Sequence, residues 1–413
     1  MNLVSVNVDT IRIGQPLPFS LREEGGILLA LKGYVVETLE ELDLLCGRRG
    51  QLFIDVTESE SHRRAYVGKL HNLVRNDIPL GQIAESQFSS FELANARDNA
   101  ETPDAGEPDW LDLQAQTYTM LRDTNPASFL PRLDKLHAQL NRQARLNPDG
   151  TLFALFHFAS TEMQLYSATH AMLVSVMCSL AAREVLKWSA DQETLVCKAA
   201  LTMNIGMTEL QDRLALQRQP PSPEQMRPIE QHALQSVRLL ERLGVTNQPW
   251  LEAVLDHHGK APGPLSGRSP GQRMARLIQR ADIFAARLAP RASRLPDSPA
   301  SAMKASYFDE NRQIDEAGAA LIKAVGIYSP GSFVRLATNE IAAVIKRGAN
   351  TTTPRVAVLV NRTGMPTGEL IVRDTNQRDY RILTSVAHRD VKVKINLARL
   401  LALTKASAAD HAW

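Results

Sequence analysis

The sequence predicts a multidomain α+β chain: a central all-α helical bundle flanked by a small β-rich unit at the start and a β-rich tail. Three observations predict it. Apolar residues recur at helical spacing from Leu111 to about Val325. Short apolar and alternating runs occupy residues 1–58 and everything after Gly326. From Ala94 to Trp110 the chain turns to Asn, Asp, Glu, Pro and Gly, with almost nothing to bury. The expected units are therefore 1–58, a mixed segment with a flexible linker over 59–110, the helical domain over 111–325, and the tail over 326–413. At 413 residues the chain can bury two or three cores.

The first unit offers strand-like pieces at Ile11, Ile13, Ile27–Leu29, Val35–Val36 and Leu52–Ile54, with Glu24-Gly25-Gly26 as a hairpin turn. Thr38 to Cys46 reads as one short helix, with Thr38 and Glu41 as a capping box. In the bundle, Leu130, Leu133, Leu136 and Leu140 mark one helix, and Ala168–Trp188 is a long apolar one. Asp191–Met203 follows Ser189 as N-cap. Pro223 opens a helix that Gly244 stops. Trp250–His258 ends at Gly259, Gln272 to about Leu288 is the next helix, and Ser298–Val325 holds shorter pieces. Strands are expected at Phe333–Leu336, Ile341–Ile345, Val356–Val360, Leu370–Val372, Tyr380–Leu383 and Val391–Ile395. Asn361-Arg362-Thr363-Gly364 is a turn, and Ala398–Leu403 a closing helix.

Composition excludes several classes. A formal charge of +2 gives no electrostatic footprint for DNA, RNA or a membrane surface. Cys46, Cys178 and Cys197 make no ligand spacing, and an odd count argues against a disulfide framework, so a cytoplasmic protein is expected. The first residues lack a basic head and apolar run. Ala171–Ala182 is too short to span a bilayer.

Five candidate metal ligands fall in the helical domain: His170, His232, His257, His258 and Asp282. Imidazole and carboxylate suit Fe, Mn or Zn. They come from separate segments, and each His alone has a bland reading as a satisfied core or helix-end residue.

Their order resembles the HD-GYP family, the branch of the HD hydrolases that opens cyclic-di-GMP. The resemblance covers about residues 120–335. It rests on Thr169-His170-Ala171, on Glu230-Gln231-His232, and on Asp256-His257-His258. It rests also on Ala281-Asp282-Ile283-Phe284 and on Gly326 to Leu336. It implies an HD-type bundle, and the first β unit is similar to an accessory domain of some members. The family's His-Asp-x-Gly-Lys signature reads Met203-Asn204-Ile205-Gly206-Met207 here, so only the Gly stands. After the His pair, Gly259 to Gly267 contains no Gly-Tyr-Pro match.

The family reaction uses adjacent divalent metals, and cations roughly 3.5–4 Å apart repel unless an anion bridges them. The signature Asp is that bridge; Asn204 is nearly isosteric but neutral. Met203 offers a thioether where an imidazole is expected, and Met207 removes a cation. A single metal on His232, His257 and His258 is the implied remnant, or no metal at all, with His170 and Asp282 as the other half of the lost pair. Arg273, Arg276, Arg280, Arg287 and Arg291 recur on one face of the last bundle helix, with Arg294 beyond. Arg276 and Arg280 are candidate phosphate ligands, the plain alternative being a solvated basic face.

Three readings follow. The first is a non-hydrolysing relative that binds cyclic-di-GMP or a signalling protein. The second is a live metal-dependent phosphodiesterase with an altered centre. The third is an adaptor whose bundle serves as a platform, for instance in a homodimer.

Overall fold

The computed structural model describes residues 108–405, apart from 162–164 and 394, together with parts of residues 3–55. Within 59–110, residues 59–107 lie outside the described residues, as do the Glu24–Gly26 turn and Cys46. The chain divides into two compact units, Met1–Ala105 and Gly106–Trp413.

Among its described residues the first unit holds four short strands: β1 (Leu3–Val6), β2 (Leu21–Arg22), β3 (Leu28–Ala30) and β4 (Leu52–Asp55). They form an antiparallel sheet in the order β1-β4-β2-β3. Leu17, Leu21, Val36, Leu42 and Leu52 make its core. Of the helix expected over 38–46, Glu41, Leu42 and Leu45 are described and helical. Thr38 Oγ1 accepts from the Glu41 backbone N–H at 3.2 Å, and the Glu41 carboxylate reaches back to the Glu37 N–H at 2.8 Å.

The second unit is mostly helical and ends in a five-stranded antiparallel sheet. Its helices are α1 (Trp110–Met120), α2 (Pro126–Leu146), α3 (Pro148–Thr161), α4 (Tyr166–Leu180), α5 (Ala190–Thr202) and α6 (Thr208–Leu216). They continue as α7 (Pro223–Arg242), α8 (Gln248–Leu255), α9 (Pro270–Leu288), α10 (Pro299–Tyr307) and α11 (Glu316–Val325). The boundaries follow local chemistry. Ser189, Ser222 and Ser269 each form a full capping box with the Gln three residues on. Gly244, at φ +91°, takes the left-handed position that ends α7.

Helix α4 is small or apolar on every side and is buried along its whole length, as an amphipathic surface helix would not be. It packs against α1, α3, α5 and α9. It has no side-chain cap of its own. Instead Asp212 on α6 accepts from the Ser167 N–H at 2.7 Å, placing a carboxylate at the positive helix end. Arg122 holds that carboxylate at 2.5 Å.

The tail strands are β5 (Phe333–Leu336), β6 (Ile341–Lys346), β7 (Arg355–Val360), β8 (Pro366–Asp374) and β9 (Ile382–Val386), closed by α12 (Leu397–Thr404). The order is β8-β7-β6-β5-β9. In the β7–β8 turn the Asn361 side chain accepts from the Thr363 and Met365 N–H groups while Gly364 sits at φ +84°.

Two expectations need correction. Tyr380 belongs to a 3₁₀ turn, and the strand begins at Ile382. Val391–Ile395 forms no strand among its described residues. Its alternation is real, because Val391, Val393 and Ile395 all pack into the sheet core, but burial is met there without a hydrogen-bonded ladder.

Sheet and bundle are joined. Phe153 of α3 is buried in the sheet's own core. Arg347, just past β6, reaches Asp149 at 2.7 Å and Glu184 at 2.8 Å. Gly331, at φ +90°, lies so close to α3 that a Cβ would stand 2.8 Å from Phe156 Cβ. Among the described residues no helix is long and apolar enough to cross a membrane.

Candidate metal centre

Four elements carry the candidate ligands. His170 lies on the second turn of α4, His232 inside α7, His257 and His258 just past the end of α8, and Asp282 on α9. The fold brings three imidazoles to one point: the ligand nitrogens of His232, His257 and His258 all lie within 4.8 Å of one another. His232 Nε2 stands 3.1 Å from His257 Nε2 and 3.2 Å from His258 Nε2.

The opposite edges of two rings explain why these nitrogens are available. His232 Nδ1 is 2.6 Å from the Ile229 carbonyl oxygen, and His257 Nδ1 is 2.6 Å from the Val254 carbonyl oxygen. A carbonyl can only accept, so both Nδ1 atoms carry the proton. In the neutral rings the two Nε2 lone pairs then face each other at 3.1 Å. The Val254 carbonyl is free to accept because α8 ends at Leu255, leaving last-turn acceptors without helical partners. A proton is a poor occupant of this gap. Burial, with the neighbouring His258, pushes His257 down to about 3. Burial likewise lowers His232, against the Ile229 hydrogen bond.

A metal fits better. With metal–nitrogen bonds of ~2.0–2.1 Å, the nitrogens of a tetrahedral site lie ~3.3 Å apart, near the separations seen here. Carbonyl-anchored Nδ1–H groups are the usual means of fixing a ligating imidazole. The donor set therefore fits one divalent ion of the Zn, Fe or Mn kind on His232, His257 and His258.

His170 and Asp282 come together as a separate pair, with His170 Nε2 2.7 Å from Asp282 Oδ1. The carboxylate accepts, so His170 Nε2 is the protonated nitrogen and Nδ1 is buried without a partner. Burial works to raise the Asp282 carboxyl, but His170 and then His257 and His258 outweigh it and hold it near about 2. Tyr166 stacks on the His170 ring at 5.5 Å and 14°. Burial raises the Tyr166 hydroxyl against the pull of Arg291, which donates to it at 3.1 Å.

His232 and His258 of the trio line one cleft of about 310 Å³ with His170 and Asp282, together with Asn204 and Met207, while His257 is buried behind them. Met203 does not face it; its side chain is 1% exposed and belongs to the bundle core. Gly206 has a packing role: a Cβ there would stand 2.7 Å from Ser236 N, and its own N–H donates to Ser236 Oγ at 2.9 Å. The glycine lets the chain lie against α7 one turn past His232.

The basic face expected on the last bundle helix does not form. Arg276 and Arg280 are buried, 3% and 2% exposed. Arg276 donates to Asp315 at 2.7 Å and to both Glu310 oxygens, and Arg280 donates to Glu310 at 2.8 Å and to the Phe308 carbonyl at 2.9 Å. The Arg276 hydrogen bond holds Glu310 at about 2, against some burial. Neither guanidinium faces the cleft. Helix α9 ends at Leu288, and Arg291 beyond it does line the cleft, with its Nε buried and unpartnered. Helical spacing grouped Arg291 with the wrong residues, and it gave no signal for Gln211 or Met226 on the cleft wall.

No family model matches the chain, and no curated protein matches it. Among solved structures, Bd1817, an HDG"Y"P protein from Bdellovibrio bacteriovorus, is similar to it at 17% identity and a TM-score of 0.41. That alignment covers 78% of this chain and 98% of the other.

Proposed function

We propose that this chain is a degenerate HD-GYP-type signalling module that holds one divalent metal on His232, His257 and His258 and binds a phosphate-bearing ligand of the cyclic-di-GMP class without hydrolysing it. The observation that carries the reading is the facing pair of Nε2 atoms, each on a ring whose Nδ1 proton is committed to a carbonyl. Bound there, a divalent ion supplies Lewis-acid attraction for a phosphate oxygen. The protein's own groups do the rest. His258 is the exposed face of the trio, and Arg291 offers a guanidinium along the same wall.

Hydrolysis by a metal pair is disfavoured by two features of the cleft. Asn204, where the family places its bridging carboxylate, is neutral. His170 and Asp282 are closed on each other at 2.7 Å. A second cation would meet a protonated Nε2 and no bridging anion.

The test is metal content together with cyclic-di-GMP turnover in Mn or ferrous iron. One equivalent of metal, ligand binding and no linear product support the proposal. One observation favours a live phosphodiesterase instead: an ionised Asp282 stands on the same cleft as the trio. Turnover abolished by Asp282→Asn would establish that reading. A protein binding neither metal nor nucleotide would leave an adaptor acting through a protein partner or a homodimer.

A further inference from the structure

Strand β8 leaves one side of the tail sheet open. It is an edge strand of nine residues, and among the described elements β7 is the one that lies along it. Ile371 and Val372 on it are each 44% exposed. A long apolar edge with open N–H and C=O groups is a template for another strand, and folds usually blunt such edges with charge, proline or a bulge. The first half of β8 is blunted in this way, because its register shifts between the Val360–Pro366 and Val358–Ile371 pairs. From Ile371 to Asp374 it runs in unbroken register with β7.

That register decides which groups are open. The Thr375 N–H donates to the Pro354 carbonyl, and the pairs Arg373–Val356 and Ile371–Val358 follow it at steps of two. In an antiparallel ladder these are the bonded pairs, so the alternate residues Val372 and Asp374 turn their N–H and C=O groups outward. Leu370 keeps the same alternation, since its side chain packs into the core that holds Ala357, the partner of Val372. The Gly368 carbonyl accepts from the Arg399 guanidinium at 3.4 Å, which closes the edge at that end. The open stretch is therefore 369–374, and its side chains complement themselves. Two antiparallel copies related by a two-fold axis at Ile371 set Leu370 against Val372 as bonded pairs, Ile371 against Ile371, and Glu369 against Arg373. Moving the axis to Leu370 or to Val372 sets a charged residue against Ile371 instead. Glu369 is exposed. Arg373 donates to Glu340 at 3.2 Å and lies over the Tyr380 ring, yet its Nε has no acceptor, so the guanidinium keeps donors for a second carboxylate.

We propose that β8 pairs with β8 of a second copy of this chain across a two-fold axis at Ile371, joining five strands from each copy into one continuous sheet. The pairing rests on the tail alone and is independent of the metal centre. A contact one strand deep falls short of the ~800 Å² per partner of a standard interface, so the dimer is reversible, with a Kd on the order of 10 μM.

The experiment is sedimentation velocity of the full chain at ~1–200 μM, a range that brackets this Kd. The expected result is a monomer–dimer transition. Val372→Pro removes an outward N–H and no bond of the β7 ladder, so it should melt like the parent and stay monomeric throughout. Glu369→Arg sets like charges across the axis and should weaken association about tenfold. Ile371→Cys reads the register. Opposed residues of a non-bonded antiparallel pair have Cα atoms ~4.5 Å apart, within disulfide reach, so mild oxidation should link the two copies. Leu383→Cys on β9 is more exposed and should not link them, in the same background of native cysteines. A monomer at every concentration overturns the pairing and leaves the edge to a strand of another protein. A dimer indifferent to both Val372→Pro and Glu369→Arg places the interface elsewhere, and so does linkage through Leu383→Cys as fast as through Ile371→Cys. Should Val372→Pro fail to fold, Glu369→Arg and the cross-link decide between the same outcomes.

Discussion

Replacing His257 with glutamine should flatten the acid response of the metal-free protein. In the folded chain burial holds the imidazole down to about 3, whereas an unfolded His titrates near ~6.5. Below ~6.5 the unfolded state therefore binds a proton that the folded state refuses. The stabilisation is complete above the unfolded value and is lost as pH falls from ~6.5 toward about 3. At pH ~4.5 about two pH units of that window have been crossed, at ~1.4 kcal/mol each, so this ring alone removes roughly 3 kcal/mol. The glutamine amide has no proton to gain in this range. Urea unfolding in the presence of EDTA, at pH ~7.5 and ~4.5, measures the difference. Wild type should lose roughly 3 kcal/mol more than His257→Gln between the two conditions. The other lowered histidines, His137, His157, His232 and His388, are common to both proteins. Parallel losses in the two proteins would mean that His257 is not a buried neutral ring, and the facing-lone-pair account of the centre would fall.

Zinc at ~100 times its Kd should stabilise the chain by ~2.7 kcal/mol, read as a rise in melting temperature that His232→Ala abolishes. Asn204→Asp faces the cleft and should raise metal content above one equivalent. Met203→His instead places an imidazole in the apolar core and should destabilise the fold by about 1–3 kcal/mol without added metal, by thermal melting and metal analysis. Gly206→Ala forces a Cβ against the α7 backbone and should cost about 1–3 kcal/mol while weakening zinc uptake through displacement of α7. Arg276→Met leaves Asp315 and Glu310 without their main partner and should cost about 3–5 kcal/mol; a measured loss of phosphate affinity in a stably folded Arg276→Met protein would contradict its structural assignment.

Much of the bundle was legible because its signals are local. Ser189, Pro223 and Gly244 act on the turn they belong to, and the structure uses each as a boundary. The four segments that carry the candidate ligands were legible only as an ordered series. What brings three of their imidazoles to one point is packing between α7 and α8, which no spacing reports. The Arg276 and Arg280 error has the same origin. Spacing placed them on a common stripe with Arg287, but their neutralising carboxylates, Glu310 and Asp315, lie on the far side of α10 in the chain. The Met203–Met207 slot misled by treating neighbours as equivalent. Successive residues in a turn point apart, so Met203 enters the core while Asn204 and Met207 look into the cleft.

Phe153 has a consequence for how this chain can be cut or exchanged. It grows from a bundle helix yet is only 1% exposed, and it shares a core with Phe333, Ile345, Ala357 and Leu359 of the tail. Asp149, one turn earlier, answers to Arg347. A truncation after Val325 would bare an aromatic side and orphan a carboxylate together, so the histidine-bearing half is no detachable cassette. Any recombination that moves it into another protein has to carry the terminal sheet as its lid.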